Sequence, residues 1–167
     1  MKQKSRYFRV EDFKTEFEEK VLYINRCSKV VKGGRKFSFS ALILIGDGEG
    51  RVGLGFAKAN EVADAIRKGT QAARKNVLVF ETEGTTIPHE IMVRWDGAHV
   101  LLKPAPEGTG VIAGSKMRSV LEMGGIKNIV AKSLGANNPL NLVLATFKAL
   151  ESLRNRKEAM EVRGISS

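Results

Sequence analysis

Residues 26–56 read RCSKVVKGGRKFSFSALILIGDGEGRVGLGF, and this stretch decides the fold of the first half of the chain. Between Phe37 and Ile45 every second residue is apolar, the pattern of a β-strand with one buried face. Gly46 to Gly50 supplies turn residues, because glycine adopts positive φ without cost. Residues 52–56 then alternate again, so the stretch predicts two antiparallel strands.

A basic loop precedes this pair of strands. Five cations and no acid lie from Arg26 to Lys36, around a central Gly33-Gly34 pair. A run of charge is usually a solvated surface, but a glycine-hinged loop with cations on both flanks fits an RNA backbone. Phosphate contacts of this kind give affinity and position with little sequence information. The loop is therefore the predicted RNA contact.

Composition agrees with a polyanionic partner. The 167-residue chain has 28 Lys and Arg against 18 Asp and Glu, a net charge of +10 with a pI near 9.9, and it is 43% hydrophobic. Nucleic acid is the first expectation and an anionic membrane surface the second. Cys27 is the only cysteine, which fits a reducing compartment. Without a segment of about 20 apolar residues or an apolar leader, we expect a soluble, cytoplasmic protein.

The chain divides into two small α+β halves, each a sheet with helices. We predict a flexible basic arm at residues 1–9, a first domain at 10–80 and a second at 81–167 that ends in a short polar tail. The predicted elements are a short helical segment within 11–19, strands at 20–26, 37–45 and 52–56, a helix from an N-cap at Asn60 to Asn76, a short apolar segment at 77–80, strands at 87–95 and 99–103 joined at Asp96-Gly97, a helix at 111–123, a strand at 126–133 and a helix from Pro139 to about Leu153.

Two glycine-rich segments resemble nucleotide sites. Gly48 to Gly53 satisfies G-x-G-x-x-G, but a strand follows where the dinucleotide motif requires a helix. Gly108-Thr109-Gly110 precedes the predicted helix at 111–123, and a helix N-terminus suits a phosphate. That segment lacks the Gly-Lys-Ser/Thr end of a P-loop, so RNA phosphate, a protein partner or plain tight packing are the better interpretations.

Catalytic and metal-binding sets are scarce. The only histidines, His89 and His99, lie on predicted strands, and with Cys27 they provide no zinc-ligand spacing. Nothing supplies a base beside Cys27. We therefore expect no enzyme, no cofactor and no metal.

Several ordered motifs closely resemble the bacterial small-ribosomal-subunit protein five family over residues 10–153. They are Val31-Lys32-Gly33-Gly34-Arg35, Phe37-Ser38-Phe39, Gly46-Asp47-Gly48, Gly50-Arg51-Val52-Gly53, Thr86-Ile87-Pro88-His89-Glu90, Lys103-Pro104-Ala105, Gly108 to Gly114, and Gly135 with Asn137-Asn138-Pro139 and Asn141.

The resemblance implies a double-stranded-RNA-binding-like first domain and a β-α-β second domain with a left-handed crossover. It implies binding to small-subunit ribosomal RNA, stabilisation of head against body near the messenger entry path, and a contribution to translational accuracy with the fourth and twelfth small-subunit proteins. The hairpin loop, residues 28–36, would lie near the spectinomycin site. Gly110 and Arg118 would lie toward the fourth protein, and the second domain would also contact the eighth.

The residue types and the resemblance together give the predicted sites. The predicted RNA-binding residues are Arg26, Ser28, Lys29, Lys32, Gly33, Gly34, Arg35, Lys36, Arg51 and Lys58. Two alternatives stay open: a double-stranded-RNA-binding module outside the ribosome, and an enzyme holding a nucleotide at one of the glycine loops.

Overall fold

The computed structural model describes residues 6–13, 16–155, 160 and 163–164, which form two compact units. Among these residues, those up to Asp47 together with Arg51–Leu78 form the first unit. Gly48–Gly50 and the residues from Val79 onward form the second. Both units are α+β, which confirms the predicted fold class. The domain limits of 10–80 and 81–167 stay a prediction, since compact units need not fold independently.

The first unit contains a five-stranded sheet with the strand order β1-β5-β4-β3-β2. The pairs β1–β5, β2–β3 and β3–β4 are antiparallel. The strands are β1 (Tyr7–Phe8), β2 (Glu18–Val31), β3 (Gly34–Gly46), β4 (Arg51–Ala59) and β5 (Val77–Val79).

Residues near the amino terminus add to this unit. Residues 1–5 of the predicted arm lie outside the described part of the chain, but Tyr7–Phe8 forms a strand that pairs with β5. A 3-10 turn, Val10–Asp12, overlaps the start of the predicted helical segment at 11–19, whose end belongs to β2. Phe13 and Phe17 pack against buried Ile45, Ala73 and Val77.

Helix α1 (Val62–Arg74) covers one face of the sheet, which we call the helix face. Its Ala65 lies in a buried cluster with Ala41 and Ile43 of β3. The approach is close because β4 carries glycine at this face: a Cβ on Gly55 would lie 1.9 Å from the carbonyl oxygen of Gly69. The glycines of β4 therefore allow close packing against the backbone of α1, not against a ligand.

The predicted N-cap of α1 at Asn60 is wrong. The N-cap is Glu61, whose side chain makes no capping hydrogen bond. The helix is stabilised by packing of its buried face rather than by a side-chain cap.

The second unit contains a four-stranded sheet with the order β6-β7-β9-β8. Its elements are β6 (Ile91–Trp95), β7 (Ala98–Pro104), β8 (Val111–Ile112), α2 (Ser115–Met123), β9 (Ile129–Ser133) and α3 (Pro139–Glu151). Strands β8 and β9 are parallel and joined by α2, so they form the expected β-α-β unit. The tail after Asn155 lies mostly outside the described residues.

Local turn and cap chemistry explains two elements of this unit. Asp96 and Gly97 join β6 to β7 with φ of 44° and 85°, the two positive values that a two-residue type I′ hairpin turn needs. Asn138 caps α3 by accepting a hydrogen bond from the Leu140 N–H at 3.1 Å, and Pro139 occupies the first turn as predicted.

The predicted helix at 111–123 begins too early. Val111 and Ile112 form β8, and the helix starts at Ser115 after an N-cap at Gly114. Two β-branched residues complete a parallel ladder with Ile129 and Val130, and this pairing overrides the apolar helical spacing. The glycines at 108 and 110 therefore lead into a strand, not into a helix N-terminus.

Candidate RNA-binding site

The predicted basic loop is mostly a β-hairpin. Strands β2 and β3 stay paired as far as Val31 and Gly34, so only Lys32 and Gly33 form the turn. Gly33 and Gly34 have φ of 101° and 150°, values that L-residues rarely adopt. The loop is shorter than the predicted 26–36 because the backbone ladder, with β-branched Val30 and Val31 on β2, continues almost to the tip. We call residues 26–37 the hairpin arm.

Strand alternation divides the predicted RNA-binding residues between two faces of the arm. Side chains on neighbouring paired residues share a face, and successive residues alternate. Arg26, Ser28 and Arg35 therefore lie on the helix face, in register with Phe39, Phe37 and Val30. Lys29, Lys36 and Lys58 lie on the other face, which we call the lysine face. Lys32, Gly33 and Gly34 form the tip.

Lys29 and Lys36 are direct cross-strand partners on the lysine face. Both side chains are exposed, and the sequence carries no acid from Lys20 to Gly46. Like charges directly opposite one another destabilise an antiparallel pair. A bound anion between the two ammonium groups would remove that repulsion, so this rung of the strand ladder has the charge to attract an anion.

Arg26 is held in place by an aromatic ring. Its Cζ lies 3.7 Å from the centroid of the Phe37 ring, on the helix face of the arm. Such a cation–π contact contributes about 0.5–1 kcal/mol at an exposed site. It orients the guanidinium while leaving its N–H groups free to meet a phosphate.

Arg51 lies apart from the arm, at the other end of β4 from Lys58. Its Nη1 donates to Oδ2 of buried Asp47 at 3.0 Å, and its Cζ lies 4.8 Å from the Phe13 ring centroid. These contacts join the strand to the turn before it. These contacts hold the Arg51 guanidinium in place, and RNA binding by this residue stays a prediction.

The predicted protein-contact residues lie in the second unit. The Gly110 N–H donates to Oδ1 of Asn128 at 3.0 Å, and Asn128 Nδ2 donates to Thr85 Oγ1 at 2.9 Å. Asn128 is buried, so it anchors the segment before β8, a role that the sequence does not signal. Arg118 is exposed on α2.

In the glycine turn that resembles a dinucleotide site, both glycine N–H groups that a phosphate would need are already paired. The N–H groups of Gly48 and Gly50 donate to the carbonyls of Met123 and Gly124 at 3.1 and 3.0 Å, within the second unit. A phosphate cradle needs such N–H groups unpaired. The turn is therefore occupied by protein backbone.

Histidine and cysteine positions give no catalytic arrangement. His89 uses both ring nitrogens, with Nδ1 3.0 Å from the Glu90 carbonyl oxygen and Nε2 accepting from the Arg154 N–H at 3.2 Å. Cys27 is a partly exposed free thiol on the lysine face. Among the described residues no group of three His, Cys, Asp or Glu could hold a metal ion. In the same part of the chain no helix is long and apolar enough to cross a membrane.

Comparison with known proteins gives the same assignment for both halves. The family model described as ribosomal protein S5, N-terminal domain, matches residues 17–80, and that described as ribosomal protein S5, C-terminal domain, matches residues 93–163.

Curated relatives match along nearly the whole chain. Small ribosomal subunit protein uS5 of Protochlamydia amoebophila (strain UWE25) is 67% identical over 155 residues, 93% of this chain and 93% of the relative. The protein of the same name from Chlamydia felis (strain Fe/C-56) is 66% identical over 152 residues, and that from Chlamydia trachomatis serovar D is 62% identical over 151. Both cover 90% of this chain and 92% of the relative.

The two α+β units and these matches define the class as a ribosomal protein. The chain belongs to the ribosomal protein S5 family. The predicted function, a structural constituent of the small ribosomal subunit without catalytic activity, is thereby confirmed at the level of the family. The alternative of a nucleotide-dependent enzyme is set aside on the same ground.

Proposed function

We propose that this protein binds small-subunit ribosomal RNA through the hairpin arm, whose cations act as fixed counterions to the phosphate backbone. The observation that carries the proposal is the Lys29–Lys36 rung, a pair of exposed like charges directly opposite each other. Repulsion between them lowers the stability of the free arm, and phosphate binding offsets it. The two lysines thus favour RNA binding at the expense of the stability of the free arm.

The arm presents its charge in three directions. Lys29 and Lys36 point to one face, Arg26 and Arg35 to the other, and Lys32 occupies the tip. A slender hairpin with cations all round fits a crevice between RNA segments better than a flat duplex surface. We infer that the arm enters such a crevice and contacts phosphates on both sides.

The experiment is a salt titration of binding to transcribed small-subunit ribosomal RNA. A variant carrying Lys29→Ala, Lys32→Ala and Arg35→Ala should bind more weakly, and its plot of log affinity against log salt should be flatter. Each lost phosphate contact lowers the slope by about 0.7–0.9. Three contacts therefore change it by about two units or more.

A matched variant controls for net charge. Arg94→Ala, Lys103→Ala and Lys127→Ala remove the same three charges from exposed positions of the second unit, and should leave the slope nearly unchanged. An arm variant whose slope equals that of the parent protein would show that the arm is a solvated surface.

The second unit provides the proposed protein contacts. We infer from family membership that exposed Arg118, near the segment fixed by the Gly110–Asn128 hydrogen bond, contributes to contact with the fourth small-subunit protein. The eighth protein is the proposed second neighbour, and the link to the twelfth would act through accuracy. In reconstituted subunits Arg118→Ala should weaken retention of the fourth protein, whereas Lys127→Ala should not.

The same proposal implies where in the cell and where in the small subunit the protein works. A subunit constituent works in the cytoplasm as part of the assembled particle, and here it would stabilise head against body beside the messenger entry path. Spectinomycin sensitivity of ribosomes carrying arm variants tests the placement of the arm: changed sensitivity supports it, and unchanged sensitivity with normal assembly contradicts it.

A further inference from the structure

The lysine face carries three side chains that phosphate contact does not explain. Tyr23, Leu42 and Phe56 are neighbours across β2, β3 and β4, because Tyr23 pairs with Leu42 and Leu42 pairs with Phe56. Leu42 is 2% exposed, whereas Tyr23 is 42% and Phe56 54% exposed. We call this set the stacking rung. The half-exposed rings of Tyr23 and Phe56 lie on either side of buried Leu42, and the two ring-bearing strands are about 10 Å apart.

The next rung toward the arm is polar. Asn25, Ser40 and Lys58 are neighbours on the same three strands and on the same face. Side chains two residues apart along a strand are separated by about 7 Å. The exposed amide of Asn25 and the exposed ammonium of Lys58 therefore lie about 7 Å from the aromatic rings. This distance is within the length of one nucleotide. The amide can pair with a base edge and the ammonium with a phosphate.

The lysine face is continuous from the stacking rung to the tip of the arm. It passes through Cys27 and Ser38 to the Lys29–Lys36 rung, about 20 Å from Tyr23 along β2. No acidic residue stands at any position of this face between these rungs. A polyanion lying on the arm can thus continue onto the stacking rung without meeting a like charge.

The sheet face of the second unit that bears exposed apolar residues differs from the lysine face in the kind of side chain it presents. There the exposed apolar residues Met92, Ile112 and Val130 are all aliphatic. Aromatic rings beside cations suit nucleobases, which stack on them irrespective of sequence. The chemistry of the stacking rung therefore favours RNA over protein as its occupant.

We propose that the stacking rung binds an unpaired RNA nucleotide, with its base on Phe56 or Tyr23 and its phosphate at Lys58. The inference deepens the proposed RNA-binding function and rests on it. It adds a second mode of binding: phosphate contact in the arm tolerates duplex RNA, whereas stacking requires a base that is out of a helix.

The experiment uses the full chain and a single-stranded RNA decamer of mixed sequence that carries one 5-iodouridine, with the matching duplex as second probe. Tyr23→Leu together with Phe56→Leu should lower affinity for the single strand by about fivefold or more, since each stacked base contributes roughly that factor. The salt slope should stay the same, because stacking releases no counterions. The photocrosslink should map to Tyr23 or Phe56 and vanish in the double variant.

Conservative variants separate stacking from loss of fold. Tyr23→Phe and Phe56→Tyr keep the rings and should retain affinity, and Trp95→Leu removes a partly exposed ring of the second unit without effect. An unchanged affinity of the double leucine variant, or equal loss on single strand and duplex, would overturn the stacking proposal. If the arm variant still flattens the salt slope in that case, the proposed RNA-binding function stands.

Discussion

Two glycine-containing turns join strands of the first sheet, and their surroundings differ sharply. The β2–β3 turn has Gly33 and Gly34 at positive φ, and an added Cβ on either would meet nothing within 4 Å. In the β3–β4 turn, a Cβ on Gly50 would lie 2.8 Å from the Phe80 carbonyl oxygen. Gly48 of the same turn is approached so closely that a Cβ on Gly125 would lie 1.9 Å from its oxygen.

The β2–β3 and β3–β4 turns differ in what surrounds their glycines, not in the conformation of those glycines. Both turns need positive φ, so sequence alone places them in one class. Open space around the first turn leaves its backbone and the neighbouring cations exposed. In the second turn the N–H groups of Gly48 and Gly50 donate to the carbonyls of Met123 and Gly124, so this turn contributes to stability.

The largest effect is expected for Gly125→Ala. The new Cβ would overlap the Gly48 oxygen, and φ at this residue is 81°, so both a clash and backbone strain arise. We expect a loss of about 3 kcal/mol in the free energy of unfolding, or failure to fold. Urea unfolding followed by the fluorescence of Trp95, the one tryptophan, measures it in the second unit.

Gly108→Ala is the matched control, with φ of 89° and no atom within 4 Å of an added Cβ. It carries the strain without the clash and should cost about 1 kcal/mol. Equal losses in the two variants would show that the close approach at Gly48 does not matter.

A smaller effect is expected for Gly33→Ala at the tip of the arm. Its φ is 101° but the space around it is open, so strain alone should lower the free energy of unfolding by about 1 kcal/mol. Gly55→Ala in the same sheet should cost more, because its Cβ would meet the Gly69 oxygen at 1.9 Å. Far-UV circular dichroism during urea unfolding compares them, and the reverse ranking would contradict the distinction between open and packed glycines.

Much of the fold follows from local pattern. Alternation gives β3, the Asp96-Gly97 pair gives the β6–β7 turn, and Pro139 marks the start of α3. The errors fall where a distant partner decides. Val111 and Ile112 become a strand only because Ile129 and Val130 lie beside them, and nothing local reveals that pairing.

The candidate site was less accessible to sequence reasoning. The cations of the arm are visible as a charge run, but their division between two faces depends on the β2–β3 register. A bulge between Val21 and Tyr23 shifts the register of β2 against β3. The bulge therefore also decides that Tyr23 lies on the same face as Leu42. The exposure of Phe56 is likewise missed, since alternation in β4 predicts a shared face with Val52, which is buried.

Lys29→Glu tests the claim that the arm gives up stability for binding. It converts the like-charged rung with Lys36 into an ion pair, so the free energy of unfolding should rise by up to about 1 kcal/mol. RNA affinity should fall at the same time, in filter binding to small-subunit ribosomal RNA. Lys29→Gln, which removes repulsion without adding attraction, should lie between the two. A variant that is both less stable and weaker in binding would refute the trade of stability for charge.

The smallest effect concerns Arg26 and Phe37, whose contact organises the other face of the arm. In a double-mutant cycle of Arg26→Ala and Phe37→Leu, the coupling free energy should be about 0.5 kcal/mol, because the cation–π contact at 3.7 Å is solvent-exposed. A cycle of Lys36→Ala with Phe37→Leu should show no coupling, since Lys36 lies on the lysine face and Phe37 does not. Coupling of similar size in both cycles would mean that the faces of the arm are not independent.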